Sequence, residues 1–134
     1  MNYDVIITAD VHPTEDPVKV KTAINNLFSS LSFQVTERPR IQQLVANISH
    51  KHGLQKFYTK LREERILGAA RRWLRQNIHG STITFCLNKQ AAYSNRISFC
   101  MPDGESPLGP IRVEIHSDNP QEFINWLTPR TTNR

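Results

Sequence analysis

The sequence has little of what marks most specialised proteins. Only two cysteines, Cys86 and Cys100, occur in 134 residues. That excludes a disulfide-dense scaffold, and with neither in a Cys-x-x-Cys it argues against a zinc ribbon or dithiol redox motif. No apolar run approaches the ~20 residues a membrane span needs. No basic-then-apolar leader precedes the first strand-like stretch, so the expectation is a cytoplasmic protein without a signal peptide. Internal repeats and low-complexity segments are absent. Acidic residues are scarce where basic ones are dense: from Arg38 to His79 only Glu63 and Glu64 oppose ten Lys/Arg, giving that segment +8. The remaining residues carry seven basic and ten acidic side chains, −3, which recovers the overall +5.

The rest of the composition is ordinary for a soluble globular protein, 38% hydrophobic and 22% charged. A chain of this length forms one domain, residues 1–134, burying roughly two-thirds of its unfolded surface. Tyr3 to Val11 is rich in β-branched residues, with Val5, Ile7, Ala9 and Val11 on one face, and reads as a strand. Thr14 or Asp16 can cap a following helix with Pro17 in its first turn, and Val20, Ile24, Leu27, Phe28 and Leu31 recur at helical spacing over about 17–30. Short strands follow at Phe33–Thr36 and around Leu44–Ile48. After Gly80, alternation predicts strands around Ile83–Leu87, Arg96–Met101 and Ile111–His116, and Ser117 or Asp118 caps a last helix over Pro120–Leu127. The expected fold is α+β in two layers, a largely antiparallel mixed sheet with helices on one face, in the order β-α-β-β-α-β-β-β-α.

Between them, Leu54 to Ile78 is helical in composition, but its apolar stripe jumps. Leu54, Phe57, Tyr58 and Leu61 cluster on one side and Leu67, Ala70, Leu74 and Ile78 nearly opposite. Either the helix breaks near Glu63–Gly68, or one half packs on a partner, which would make a homodimer.

A basic middle on a near-neutral body points to a polyanionic partner. Arg62, Arg65, Arg72 and Arg75 form the expected ridge, with Arg38, Arg40 and Lys51 in flanking loops and Lys89 as a further donor. Arginine grips phosphate in a planar fork. Such contacts give affinity rather than sequence specificity, so the natural target is structured RNA, bound without catalysis. The polar sheet face carries few aromatics for base stacking, which argues against a sheet platform for single strands. The alternatives are a solvated helix face, a protein-interaction or homodimerisation module, and an enzyme with a small site around Asp10, His12 and Lys89. His50-Lys51-His52 has chelating spacing but no evident third ligand, so neither metal nor cofactor is expected. Cys86 and Cys100 share a parity that can set them opposite each other on adjacent strands, with free thiols the default.

Thr14-Glu15-Asp16-Pro17, Glu64-Arg65-Ile66-Leu67-Gly68-Ala69-Ala70-Arg71, Asn88-Lys89-Gln90-Ala91-Ala92, Glu105-Ser106-Pro107-Leu108-Gly109-Pro110-Ile111 and Trp126-Leu127-Thr128-Pro129 run through nearly the whole chain. In this order they resemble the signature of a small archaeal family of uncharacterised proteins labelled as predicted RNA-binding. The resemblance implies a fold similar to the ribosomal protein that binds 5S ribosomal RNA, a mixed sheet with helices on one side. It brings no catalytic residues and places Lys89 and Gln90 in a signature loop without a role. Gly68 stands where relatives more usually carry an acid.

Overall fold

The computed structural model describes residues 3–28, 32–49, 51–102 and 108–130, with the side chains of Lys51 and His52 left aside. The chain runs β1 (Tyr3–Val11), α1 (Pro17–Leu27), β2 (Phe33–Arg38), β3 (Ile41–Ile48), a 3-10 turn (Lys51–Leu54), α2 (Gln55–Glu63), α3 (Leu67–Gln76), β4 (Ile78–His79), β5 (Thr82–Leu87), α4 (Lys89–Tyr93), β6 (Phe99–Cys100), β7 (Ile111–Ser117) and α5 (Pro120–Leu127). The strands form one sheet in the order β2-β3-β1-β7-β5-β4, with β6 also on β5, and every pairing is antiparallel.

Alternation decides which face is covered. Val5, Ile7, Ala9 and Val11 of β1 are buried, as are Leu44, Ala46 and Ile48 of β3, Ile83, Phe85 and Leu87 of β5, and Ile111, Val113 and Ile115 of β7. The helices lie over this face. Phe57 of α2 stacks between Phe28 and Phe85, at centroid distances of 5.1 and 5.9 Å, which ties the α1 end to the sheet. Tyr3, Phe123 and Trp126 pack together under α5. The opposite face carries rows such as Asp4–His116–Thr82 and Ile6–Glu114–Thr84, the polar surface that the strand parity predicts. Cys86 and Cys100 are directly paired there, both as buried thiols. Burial pushes the Cys86 thiol up, against the opposing pull of Arg112.

Local chemistry explains several boundaries. Asp16, one of the two expected caps, accepts from the Val18 N–H at 2.9 Å, with Pro17 opening α1. The helix ends at Leu27, short of the expected 30, because Phe28 turns to extended backbone. At α5 the cap is Asn119, accepting from Glu122 N–H at 3.1 Å, rather than Ser117 or Asp118; Ser117 Oγ instead accepts from Asn119 N–H. The strand expected over 96–101 shrinks to Phe99–Cys100, and the link Lys89–Asn95, too long for a tight hairpin and able to hold a helical turn, carries the short helix α4, which Asn88 caps. Gly53 is required by close approach: a Cβ there would collide with the side chain of buried Ile48.

Candidate nucleic-acid interface

The jump in the apolar stripe is resolved within one chain. α2 buries Phe57 and Leu61, α3 buries Ala70 and Leu74, and both sets join the same core. Between them the backbone turns sharply. Arg65 adopts φ 58°, its N–H bonds to Arg62 O at 3.1 Å, and the Ile66 N–H bonds to Leu61 O at 3.2 Å. This is a Schellman motif, closed with arginine at the left-handed position where glycine is usual. The break therefore accounts for both apolar faces without a second copy of the chain. Gly68 lies near the start of α3, exposed, where its low helix propensity matters little.

On α3, Arg71, Arg75 and Arg72 fall within about 100° of one another on the flank beside Ala70 and Leu74. Trp73 takes the other flank and stacks on Phe99 at 5.7 Å. Arg71 is half-buried and donates from Nη1 to Thr128 O at 2.9 Å. Arg62, at the end of α2, donates from Nη1 to Tyr58 O at 2.9 Å and to Leu127 O at 3.2 Å, with its guanidinium 3.4 Å above the Tyr58 ring. Two guanidinium groups thus serve the carbonyls at the C-terminal end of α5, where the helix dipole favours cations. Arg65, Arg72 and Arg75 are exposed.

The electrostatics are one-sided. Among the described residues the salt bridges are His12–Glu15, Lys60–Glu64, Lys89–Glu15 and His116–Glu114, and no arginine takes part. The Arg71 guanidinium is depressed below its ordinary pKa, first by partial burial and then by repulsion from Arg75 and Arg130. Glu64, one of the two acids of the basic segment, is spent elsewhere: its carboxylate accepts from the Ile97 N–H at 3.1 and 3.2 Å and pairs with Lys60.

The expected site residues do not all meet. Arg62 and Arg65 sit at the break between α2 and α3, and Arg72 and Arg75 follow along α3, Arg75 in its last turn. Arg38 and Arg40 sit instead at the β2–β3 turn, on the far edge of the sheet. β2 lies four strand spacings from β5, on which α3 packs, roughly 19 Å. Lys51 opens the 3-10 turn, but its side chain lies outside the described residues, as do His50 and the side chain of His52 that would complete the chelating triplet. Among the described residues no group of three metal-ligating side chains occurs. Lys89 is buried, not a loop donor. Its Nζ donates to the Glu15 carboxylate at 3.1 and 3.2 Å, to Leu108 O at 2.8 Å and to Asp10 O. An ammonium has only three hydrogens to give, so it has none left for phosphate. Arg71 and Arg130 were not among the expected residues; the position of Arg71 beside Arg75 on the helical wheel was the signal for the first.

Of the alternative small site around Asp10, His12 and Lys89, only His12 and Lys89 meet through their side chains, by way of Glu15, a residue outside that set. Glu15 accepts from the backbone N–H and ring Nδ1 of His12, each at 3.0 Å, as well as from Lys89. Burial alone would raise the Glu15 carboxyl, but the two His12 contacts and Lys89 outweigh it and hold it below its ordinary value. The Asp10 carboxylate points away, toward Gln43 at 3.4 Å.

Comparison with known proteins places this geometry. A family model described as RNA binding matches residues 4–117. A UPF0201 protein of Sulfurisphaera tokodaii is 50% identical over 127 residues, covering 95% of this chain and 88% of the relative. One of Metallosphaera sedula is 43% identical over 128 residues, covering 96% and 89%. The crystal structure of the UPF0201 protein from Methanococcus jannaschii superposes with a TM-score of 0.84 at 33% identity, over 96% of this chain and 95% of the other. The chain belongs to the UPF0201 family of archaeal proteins, whose matching model is one of RNA binding.

Proposed function

We propose that the protein is a non-catalytic binder of structured RNA, and that the contact is the α2–α3 corner with Arg62, Arg65, Arg71, Arg72, Arg75 and Arg130. The observation that carries this reading is the complete lack of carboxylate partners for these arginines among the described residues, in a cluster where Arg71 feels Arg75 and Arg130 as repulsion. Two of these guanidinium groups, Arg62 and Arg71, are held in place by backbone carbonyls, and the exposed others add charge around them, which makes a cationic surface. Phosphate oxygens in register with it would relieve the repulsion and take up the forks. The contacts read shape rather than bases. Arg38 and Arg40, at the far edge of the sheet, do not extend the same ridge, and Lys89 has no role in it. The family resemblance implies a fold similar to the 5S-binding ribosomal protein, so ribosomal RNA is the first ligand to try.

The test is the salt dependence of binding. Each phosphate neutralised contributes roughly −0.7 to −0.9 to the slope of log K against log salt. Arg72→Glu with Arg75→Glu, both on exposed side chains, should flatten that slope by more than one while leaving the melting temperature within a few degrees. An unchanged slope would remove the ridge as the contact.

A further inference from the structure

The trio of Glu15, Lys89 and His12 is not used by the RNA-binding corner; it gathers where β1 and β5 end. It borders an open cleft of about 450 Å³ between the turn after β1 and the β2–β3 turn. His12, Arg38, Arg40 and Gln42 line this cleft, with Glu15 at its back and Glu37 at its rim.

Three features of the cleft belong together. First, the imidazole is fixed. The Glu15 carboxylate can only accept, so the ring nitrogen facing it, Nδ1, carries a proton, and Nε2 is the nitrogen left for a ligand. The side chains of Glu15 and Lys89 are only 10% and 9% exposed, so this orientation is set by a buried pair rather than by solvent. Second, the charges do not cancel. Lys89 offsets Glu15, and Glu37, held by the neutral Gln42 amide at 2.8 Å, offsets one of the two arginines, which leaves one positive charge. Arg38 has only a 3.4 Å contact with the neutral Gln43, and neither it nor Arg40 has a carboxylate partner. Third, Arg40 is strained. Arg38 pairs with Ile41, so Pro39 and Arg40 make a two-residue turn, and Arg40 takes φ 73° where glycine or asparagine would sit without cost. A long cationic side chain held in that conformation at the mouth of a cleft is the kind of outlier found at ligand clamps.

We propose that this cleft is a second, separate site that binds a phosphate group, with the Arg38 and Arg40 guanidinium groups as the fork and His12 Nε2 as the third contact. The ligand class is a phosphate monoester, carried either by a free nucleotide or by the end of an RNA strand. With Nδ1–H facing Glu15, Nε2 accepts a hydrogen bond from the P–OH of the monoanionic monoester. Glu15 and Lys89 are positioning residues: they orient His12 without touching the ligand. The proposal does not depend on the α2–α3 corner binding RNA.

The experiment is a titration of the full-length protein at constant ionic strength with inorganic phosphate, with adenosine monophosphate, and with a short RNA bearing either a 5′-phosphate or a 5′-hydroxyl. Binding is followed by calorimetry and by the ¹⁵N shifts of the His12 ring. Saturable binding with a displaced Nε2 resonance is expected. Arg40→Gly, which suits the positive φ and so should fold at least as well, and Arg38→Gln should each weaken it at least about tenfold. Arg96→Gln, which removes an exposed charge outside the cleft, should leave it unchanged. Whichever monoester binds more tightly than inorganic phosphate names the source. No saturable binding by any of these probes, or binding indifferent to both cleft variants, would overturn the proposal.

Discussion

Replacing Arg65 by glycine separates stability from binding. Arg65 closes the Schellman motif at φ 58°, a conformation that costs a non-glycine residue about 1–2 kcal/mol. Glycine removes that strain but brings more backbone entropy to lose on folding, roughly 0.5–1 kcal/mol. The Arg65 side chain is exposed and makes no salt bridge among the described residues, so little packing is lost. The net expectation is a gain of about 0.5–1 kcal/mol, which for a domain of this size raises Tm by roughly 2–4 °C. RNA affinity should move the other way, with the salt slope reduced by about 0.7–0.9 for one lost phosphate contact. Calorimetry on the variant and filter binding across a salt series measure both. A lower Tm would refute the assignment of the break, and an unchanged slope would remove Arg65 from the interface. If both expectations hold, this position gives up stability to keep a charge.

Glu15→Gln leaves Lys89 buried without its counter-charge and should cost about 3–5 kcal/mol in urea unfolding. The pH dependence carries a sign as well. The folded-state pKa of Glu15 is depressed, so its contribution is present above the ordinary value of 4.5 and is lost as pH falls through the lower folded value. The wild-type protein should therefore lose stability along that acid limb, while the variant shows a shallower one; parallel limbs would contradict it. Phe57→Ala opens a cavity between Phe28 and Phe85 and should cost about 3–5 kcal/mol by the same assay, against less than 1 kcal/mol for an exposed position such as Gln55.

What the sequence makes readable follows from how local each determinant is. Strand faces depend on a two-residue period, and the buried residues of β1, β3, β5 and β7 are the alternating apolar ones, apart from Cys86 on the other face and the polar Ser117. The phase jump between Leu61 and Leu67 was equally visible, but its resolution was not, because the residue that turns the chain is an arginine in a glycine's conformation. Gly68, the conspicuous helix breaker nearby, is an ordinary helical residue. At α5, Ser117, Asp118 and Asn119 are three successive capping side chains; Asn119 takes the cap, and Ser117 accepts from the Asn119 N–H instead. The fate of Lys89 was hidden for a different reason. Its partner Glu15 is 74 residues away, so nothing nearby separates a buried ammonium from a loop donor. Arg71 straddles the edge of the apolar stripe, where a charged residue reads as a flank rather than as part of a surface.

The amine of Lys89 fastens three stretches of chain that are far apart in sequence: the end of β1 and its turn, the segment entering β7, and α4 itself. To an acylating reagent, this nitrogen is reachable only when that whole end of the molecule opens, whereas Lys19 close by on α1 is exposed and reacts at once. The ratio of the two labelling rates would count how often the native protein comes undone there, with no denaturant and no engineered probe.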